Sequence, residues 1–201
     1  MPVRRSKPSA DRILESCEKA FAQHGYSEVS LRQLMAAAGV STTAFYARFD
    51  SKEAVIAALV TRLFGDLYAA APAVLDRAPD LETGIDLGVD LLCDQFAPRR
   101  SLVRLILSEA GSAKAAVDAR RTAYSMLAGF LAKRIHGLAK RSTDPRFEHA
   151  RRDPDAVAWA LIGALDIQIV RWAVWNQIEL PELRLGLRAA ARAILPRMEA
   201  S

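Results

Sequence analysis

Apolar residues recur along this chain at intervals of three and four, the spacing that gathers them on one face of an α-helix. Ile13, Leu14, Cys17, Ala20 and Phe21 form such a face over residues 10–24, and Gly25 follows where a helix commonly ends in a left-handed turn. A second helix is predicted over 31–38, behind Ser30 and Gln33, whose S-x-x-Q spacing makes a capping box, and Gly39 closes it. A third is predicted over 42–49 behind Ser41. A fourth follows Asp50-Ser51-Lys52-Glu53, with Asp50 as its cap. Pro72 and Pro79 break the pattern, which resumes over 81–96, 102–110 and 113–138. Residues 140–152 read as a charged loop. Asp153-Pro154 opens an eighth helix to about 176, and a ninth covers 180–195. Alternating strand-like runs are absent. The pattern predicts an all-α protein of about nine helices.

With 201 residues, the chain suits one medium domain or a small domain joined to a larger one. Hydrophobic residues at 51% exclude a disordered or low-complexity protein. The net charge of +5 is uneven: residues 1–60 carry +2, 61–98 carry −5, 99–152 carry +9 and 153–201 carry −1. Charge alone therefore points to the middle of the chain, not to the N-terminus. Cys17 and Cys93 lie among apolar residues at helical spacing and read as buried free thiols, with no zinc or disulfide spacing. The longest uncharged apolar run, 156–165, is too short to span a bilayer, so a cytoplasmic protein without membrane contact is expected.

The most informative stretch is SLRQLMAAAGVSTTAFYARFDSKE, residues 30–53. Two short capped helices flank Ala38-Gly39-Val40, and Leu31, Leu34, Met35, Val40, Phe45 and Phe49 fall on inward faces. This is the pattern of a helix-turn-helix with a polar start to its second helix. Thr42 and Thr43 occupy the turn where a recognition helix meets base edges, with hydroxyls to bond and methyls to touch thymine. Arg48 lies one turn on, Tyr46 offers a phenol to the groove, and Arg32 can reach a guanine or a phosphate. Ser41, Lys52 and the starts of the second and fourth helices suit phosphates. A plain αα-hairpin in a bundle that binds no DNA has the same pattern.

Residues 10–60 resemble the N-terminal domain of the TetR family of transcriptional regulators. The resemblance rests on Arg12-Ile13-Leu14, Ala20-Phe21, His24-Gly25-Tyr26, Ser30-Leu31-Arg32, Ala37-Ala38-Gly39-Val40-Ser41, Phe45-Tyr46, Phe49 and Ser51-Lys52-Glu53-Ala54. It implies phosphate contacts for Tyr46 and Lys52 and base contacts for Thr42, Thr43 and Arg32. Two positions depart from the family pattern: Thr43 stands where glycine is frequent, and Ala44 where a threonine commonly touches phosphate. The basic tail residues Arg4, Arg5 and Lys7 can follow the backbone or enter the minor groove.

The resemblance further implies a helix-turn-helix domain over 1–55 and a larger ligand-sensing and dimerisation domain over 56–201. The eighth helix is apolar on nearly every face and is expected to be buried on several sides. By family analogy, the eighth and ninth helices of two chains form the homodimer interface, with Gly163 and Gly186 permitting close approach. Candidate ligand contacts are Phe96, Tyr124, Leu127, Leu131, Trp159 and Asp166, the last needing a partner if buried. Asp86, Asp90 and Asp94 recur every fourth residue, more as a solvated face than as a metal or cation site, and Arg99, Arg100, Arg104, Arg120 and Arg121 can pair with them or instead attract an anionic ligand such as an acyl-thioester.

The expected protein is a homodimeric regulator, a repressor freed from a near-palindromic double-stranded DNA operator by a small-molecule effector. The alternative is a helical protein-interaction module. No G-x-S-x-G, P-loop or H-E-x-x-H is present, and none of His24, His136 and His149 has a glutamate three residues before it. No enzyme activity, metal or cofactor is expected.

Overall fold

The computed structural model describes residues 10–108, 113–141 and 145–195, and among them no strand occurs. Ten α-helices run in order: α1 Ala10–His24, α2 Leu31–Ala38, α3 Thr42–Tyr46, α4 Lys52–Leu75, α5 Leu81–Phe96, α6 Arg100–Leu107, α7 Lys114–Arg141, α8 Glu148–Arg152, α9 Pro154–Ala173 and α10 Leu180–Ile194. The excess over nine is α8, which forms with a 3₁₀ turn inside the stretch that reads as a charged loop. Two compact units are distinguishable: Met1–Arg62 with Ser101–Arg120, and Leu63–Arg100 with Arg121–Ser201. The division falls within α4, at the start of α6 and within α7.

The first unit is organised by local signals. The amide of Gln33 bonds the Ser30 hydroxyl at 3.3 Å, and the Ser30 amide bonds Gln33 Oε1 at 2.7 Å, which satisfies orphan donors at both ends of the box. Gly39 ends α2 at φ +63°, a left-handed conformation that costs an L side chain about 1–2 kcal/mol. Its amide and that of Val40 return to Ala36 and Met35 carbonyls. α1 packs on α2, and Ile13, Cys17, Phe21, Leu34 and Phe45 are buried, as are Val55, Ile56 and Leu59 of α4. Leu31, Met35 and Val40 are only half-buried, so Leu34 and Phe45 carry the joint between α2 and α3.

Several boundaries differ from the sequence expectation by a few residues, and two of them have a local cause. α3 stops at Tyr46 instead of Phe49, because Arg48 and Phe49 both direct their amides to the Phe45 carbonyl and close a turn. The α4 cap is Ser51, not Asp50: the Ser51 hydroxyl accepts the Ala54 amide at 3.0 Å. A proline removes one helical hydrogen bond, yet α4 continues through Pro72 for one more turn before ending at Leu75.

In the second unit α10 packs on both α9 and α5. Leu183, Leu187 and Ala191 are buried on one face of α10, and Ile85, Val89 and Cys93 on one face of α5. Beside these apolar rows runs a ladder of ion pairs. Arg184 bonds Asp90 at 2.5 Å and Asp94 at 2.7 Å; Arg188 reaches Asp86 at 3.0 Å and Asp90 at 2.9 Å; Arg192 reaches Glu82 at 2.6 Å and Asp86 at 2.9 Å. The acids of α5 are therefore neutralised by α10, not by the arginines of the basic middle segment. Arg99 pairs instead with Asp66 at 2.8 Å, and Arg100 bonds Asn176 and the Trp172 carbonyl while its guanidinium lies over the Trp172 ring.

By length and hydropathy, α4 and α9 could each cross a membrane, a test that the core helix of a soluble protein also passes. The two cysteines are buried, and desolvation pushes both thiols up to about 11, which leaves them protonated and unreactive at neutral pH.

Candidate nucleic-acid interface and ligand cavity

α3 holds its polar residues outward because Phe45 is fully buried at its centre. The Phe45 ring meets Phe49 at 5.7 Å and Tyr46 edge-on at 6.4 Å. Thr42 and Thr43 are exposed in the first turn, Arg48 is exposed just past the last, and half of Tyr46 faces solvent. Ser41 accepts the Ala44 amide at 3.2 Å, so its oxygen caps the helix while its hydroxyl proton stays available. Arg48 reaches back to the Ala44 carbonyl at 3.5 Å, a weak bond that a stronger acceptor can displace. Arg32 is exposed in the first turn of α2. The α2–α3 segment thus displays two β-branched hydroxyls, a phenol and two guanidiniums.

Lys52 differs from the others because its ammonium is already seated. Nζ donates to the Tyr26 carbonyl at 2.8 Å and lies 4.4 Å from the centre of the Tyr26 ring. The Tyr26 phenol in turn donates to Glu53 at 3.2 Å. Burial, then the Glu53 charge and its hydrogen bond, push this phenol up to about 12, so it stays a neutral donor. The ammonium keeps further N–H groups for an anion. Sequence reasoning missed Tyr26 in this role, and no local signal exposes it, since the contact joins residues 26 apart. The expected tail contacts Arg4, Arg5 and Lys7 lie outside the described residues.

The second unit contains a cavity of about 490 Å³ among α4, α5, α7, α9 and α10. Leu67, Ala71, Ile85, Leu127, Leu131 and Leu161 are among its walls. Its charged lining residues are Asp76 and Asp80, from the end of α4 to the start of α5, and Arg134 and Arg141 on α7. Of the six expected ligand contacts, Leu127 and Leu131 line this space. Phe96, Tyr124 and Asp166 gather elsewhere around Phe64: its ring meets Phe96 at 6.0 Å and Tyr124 at 5.6 Å, and the Tyr124 phenol donates to Asp166. That bond supplies the partner a half-buried acid needs. Trp159 stands on the outer side of α9, 40% exposed.

Comparison with known proteins agrees with this geometry. Residues 13–59 match the model of the bacterial regulatory proteins, tetR family. An HTH-type transcriptional regulator of Mycobacterium tuberculosis is 37% identical over 62 residues, which are 31% of this chain and 31% of that protein. The match thus spans about a third of the relative's length. Over the whole fold, a TetR-family transcriptional regulator from Syntrophomonas wolfei superimposes with a TM-score of 0.78 at 18% identity, covering 95% of this chain and 97% of that one. A fatty acid degradation regulator from Bacillus halodurans gives 0.77 at 18%, covering 96% and 97%. Residues 13–59 thus carry the helix-turn-helix of the TetR family of bacterial regulatory proteins, and the whole chain shares the all-helical fold of solved TetR-family regulators.

Proposed function

We propose that this protein is a homodimeric, sequence-specific DNA-binding regulator, a cytoplasmic repressor released from its operator by a small molecule. The observation that carries this reading is the outward display of Thr42, Thr43, Tyr46 and Arg48 around a buried Phe45. α3 enters the major groove of double-stranded DNA. Thr42, Thr43 and Arg32 meet base edges, Ser41, Tyr46 and Lys52 hold phosphates, and Arg48 reaches whichever lies nearer.

The dimer forms through α9 and α10. Ala156, Trp159, Ala160, Gly163 and Ile167 make an exposed apolar stripe on α9, and Leu185, Ala189 and Ala193 make another on α10. Leu185 is 66% exposed. A second copy of the chain would bury both stripes in a self-complementary interface. Twofold symmetry then dictates a near-palindromic operator. The effector occupies the cavity, with Leu127 and Leu131 among its contacts, and acts by binding one dimer shape more tightly than the other.

The test compares the wild type with Thr42→Ala and Tyr46→Phe on a selected operator. Thr42→Ala is expected to change base preference, and Tyr46→Phe to weaken affinity. Unchanged affinity and preference in both variants would show that α3 does not read the site.

A further inference from the structure

We propose that the cavity of the second unit takes an aliphatic chain ending in one anionic head group, and that Arg141 receives the head. This rests on the reading of the cavity as the effector site and deepens it to a ligand class.

The walls set the body of the ligand. Leucine, isoleucine, valine and alanine side chains dominate the lining, Phe130 is its one aromatic ring, and no fully buried polar or charged side chain occurs among the described residues. A ligand body carrying hydrogen-bonding groups would lose its water without compensation there, whereas a hydrocarbon chain loses nothing. The volume of about 490 Å³ lies within the range of small-molecule sites.

The charged lining residues set the head. Both acids are committed. Asp76 is ion-paired to Arg134, and Asp80 spends its carboxylate on the Thr83 amide at 2.7 Å, capping α5. Arg134 is held by Asp76 on one side and lies over the Phe130 ring at 5.2 Å. Arg141, two turns further along α7, is exposed, and among the described residues nothing pairs with it. The uncommitted charge on the lining is therefore a cation, and its complement is an anion. A carboxylate or phosphate head fits a guanidinium through paired hydrogen bonds. A cationic head would meet Arg141 with no free acid to balance it.

Gly137 gives an independent handle. It lines the cavity, and a Cβ built on it would meet nothing within 4 Å. A larger side chain there occupies ligand space while favouring the helix of α7, because glycine is a poor helix former.

The experiment is calorimetric titration of the full-length protein with laurate, dodecyl phosphate, dodecanol and dodecylamine, each below its self-association concentration. Laurate and dodecyl phosphate distinguish a fatty acid from a phosphate-headed lipid as the source. At least one should bind roughly tenfold more tightly than the alcohol, and the amine should bind most weakly. Shorter acids should lose about four-fold in affinity per methylene removed. Arg141→Gln should erase the preference for anion over alcohol and leave alcohol binding intact. Gly137→Leu should abolish binding of every chain without lowering the melting temperature. Equal binding of acid, alcohol and amine, or an undiminished anion preference in Arg141→Gln, would overturn the head-group assignment. Absence of chain binding in a protein that still binds its operator would overturn the ligand class and leave the regulator reading standing. Anionic chains that bind without changing operator affinity would do the reverse: the ligand class stands and the effector role falls.

Discussion

The ammonium of Lys52 lies on the Tyr26 carbonyl at 2.8 Å, against the face of the same residue's ring. The first residue of α4 is thereby tied to the turn after α1. A lysine held at this point loses little rotamer freedom on meeting a phosphate, because most of that freedom is already gone. Lys52→Ala is expected to weaken binding to every duplex by a similar factor and to lower the salt slope by about one. Tyr26→Leu keeps the carbonyl and removes the ring and phenol. It should give a smaller loss of affinity with an unchanged salt slope. Affinity measured across a salt series separates the two outcomes.

The turn between α2 and α3 depends on Gly39, whose φ of +63° an L side chain resists. Nothing lies within 4 Å of a Cβ placed there, so the cost of Gly39→Ala is backbone strain alone. Urea unfolding should show a loss of about 1–2 kcal/mol. A loss near zero would mean the turn relaxes into another conformation.

The α5–α10 ladder shares Asp86 and Asp90 between two arginines each. After Arg188→Ala, Asp86 keeps Arg192 and Asp90 keeps Arg184. These pairs are partly solvent-exposed, so the expected destabilisation is below about 1 kcal/mol and shrinks as salt is raised. Urea midpoints at low and high salt check this. Gly186 sits beside the ladder, and a Cβ there would come within 3.0 Å of Gln168 Oε1. Gly186→Ala should therefore be tolerated only by moving that flexible side chain.

Alkaline pH should unfold the protein through its buried acids. The thiols of Cys17 and Cys93 are pushed up to about 11 and the Tyr26 phenol to about 12. Each group's folded value exceeds its unfolded one, so the stability it contributes is complete below the unfolded value. That stability is lost as pH rises through the folded value. The melting temperature is expected to fall between about pH 9 and pH 12. Cys17→Ala should flatten the lower part of that fall. Thiol reagents at neutral pH should label neither cysteine in the native state.

What was legible in the sequence was local. Ser30 with Gln33, Ser41, Gly39 and Asp153 announce their caps within a few residues, and the structure places each where the spacing does. Where two caps compete in adjacent positions, as Asp50 and Ser51 do, spacing cannot choose, and the hydroxyl that meets an amide settles it. Pairings between distant segments were not legible. The acids of α5 and the arginines of α10 each repeat every fourth residue, yet nothing in either repeat names the other as partner. The same holds for Tyr26 beneath Lys52. Tyr124, Phe96 and Asp166 are on the expected helices but turn toward Phe64, whereas Leu127 and Leu131 turn toward the cavity. Tyr124, Leu127 and Leu131 share one face of α7, so position along that helix, not helical phase, separates them.

The central claim is that α3 reads sequence from a dimer. The most direct measurement is selection of genomic fragments by the purified protein at physiological salt, followed by sequencing of what it retains. The account predicts a short, near-palindromic site shared by the retained fragments, weakened by Thr42→Ala at particular base positions. Salt-sensitive retention of fragments with no common sequence would contradict it.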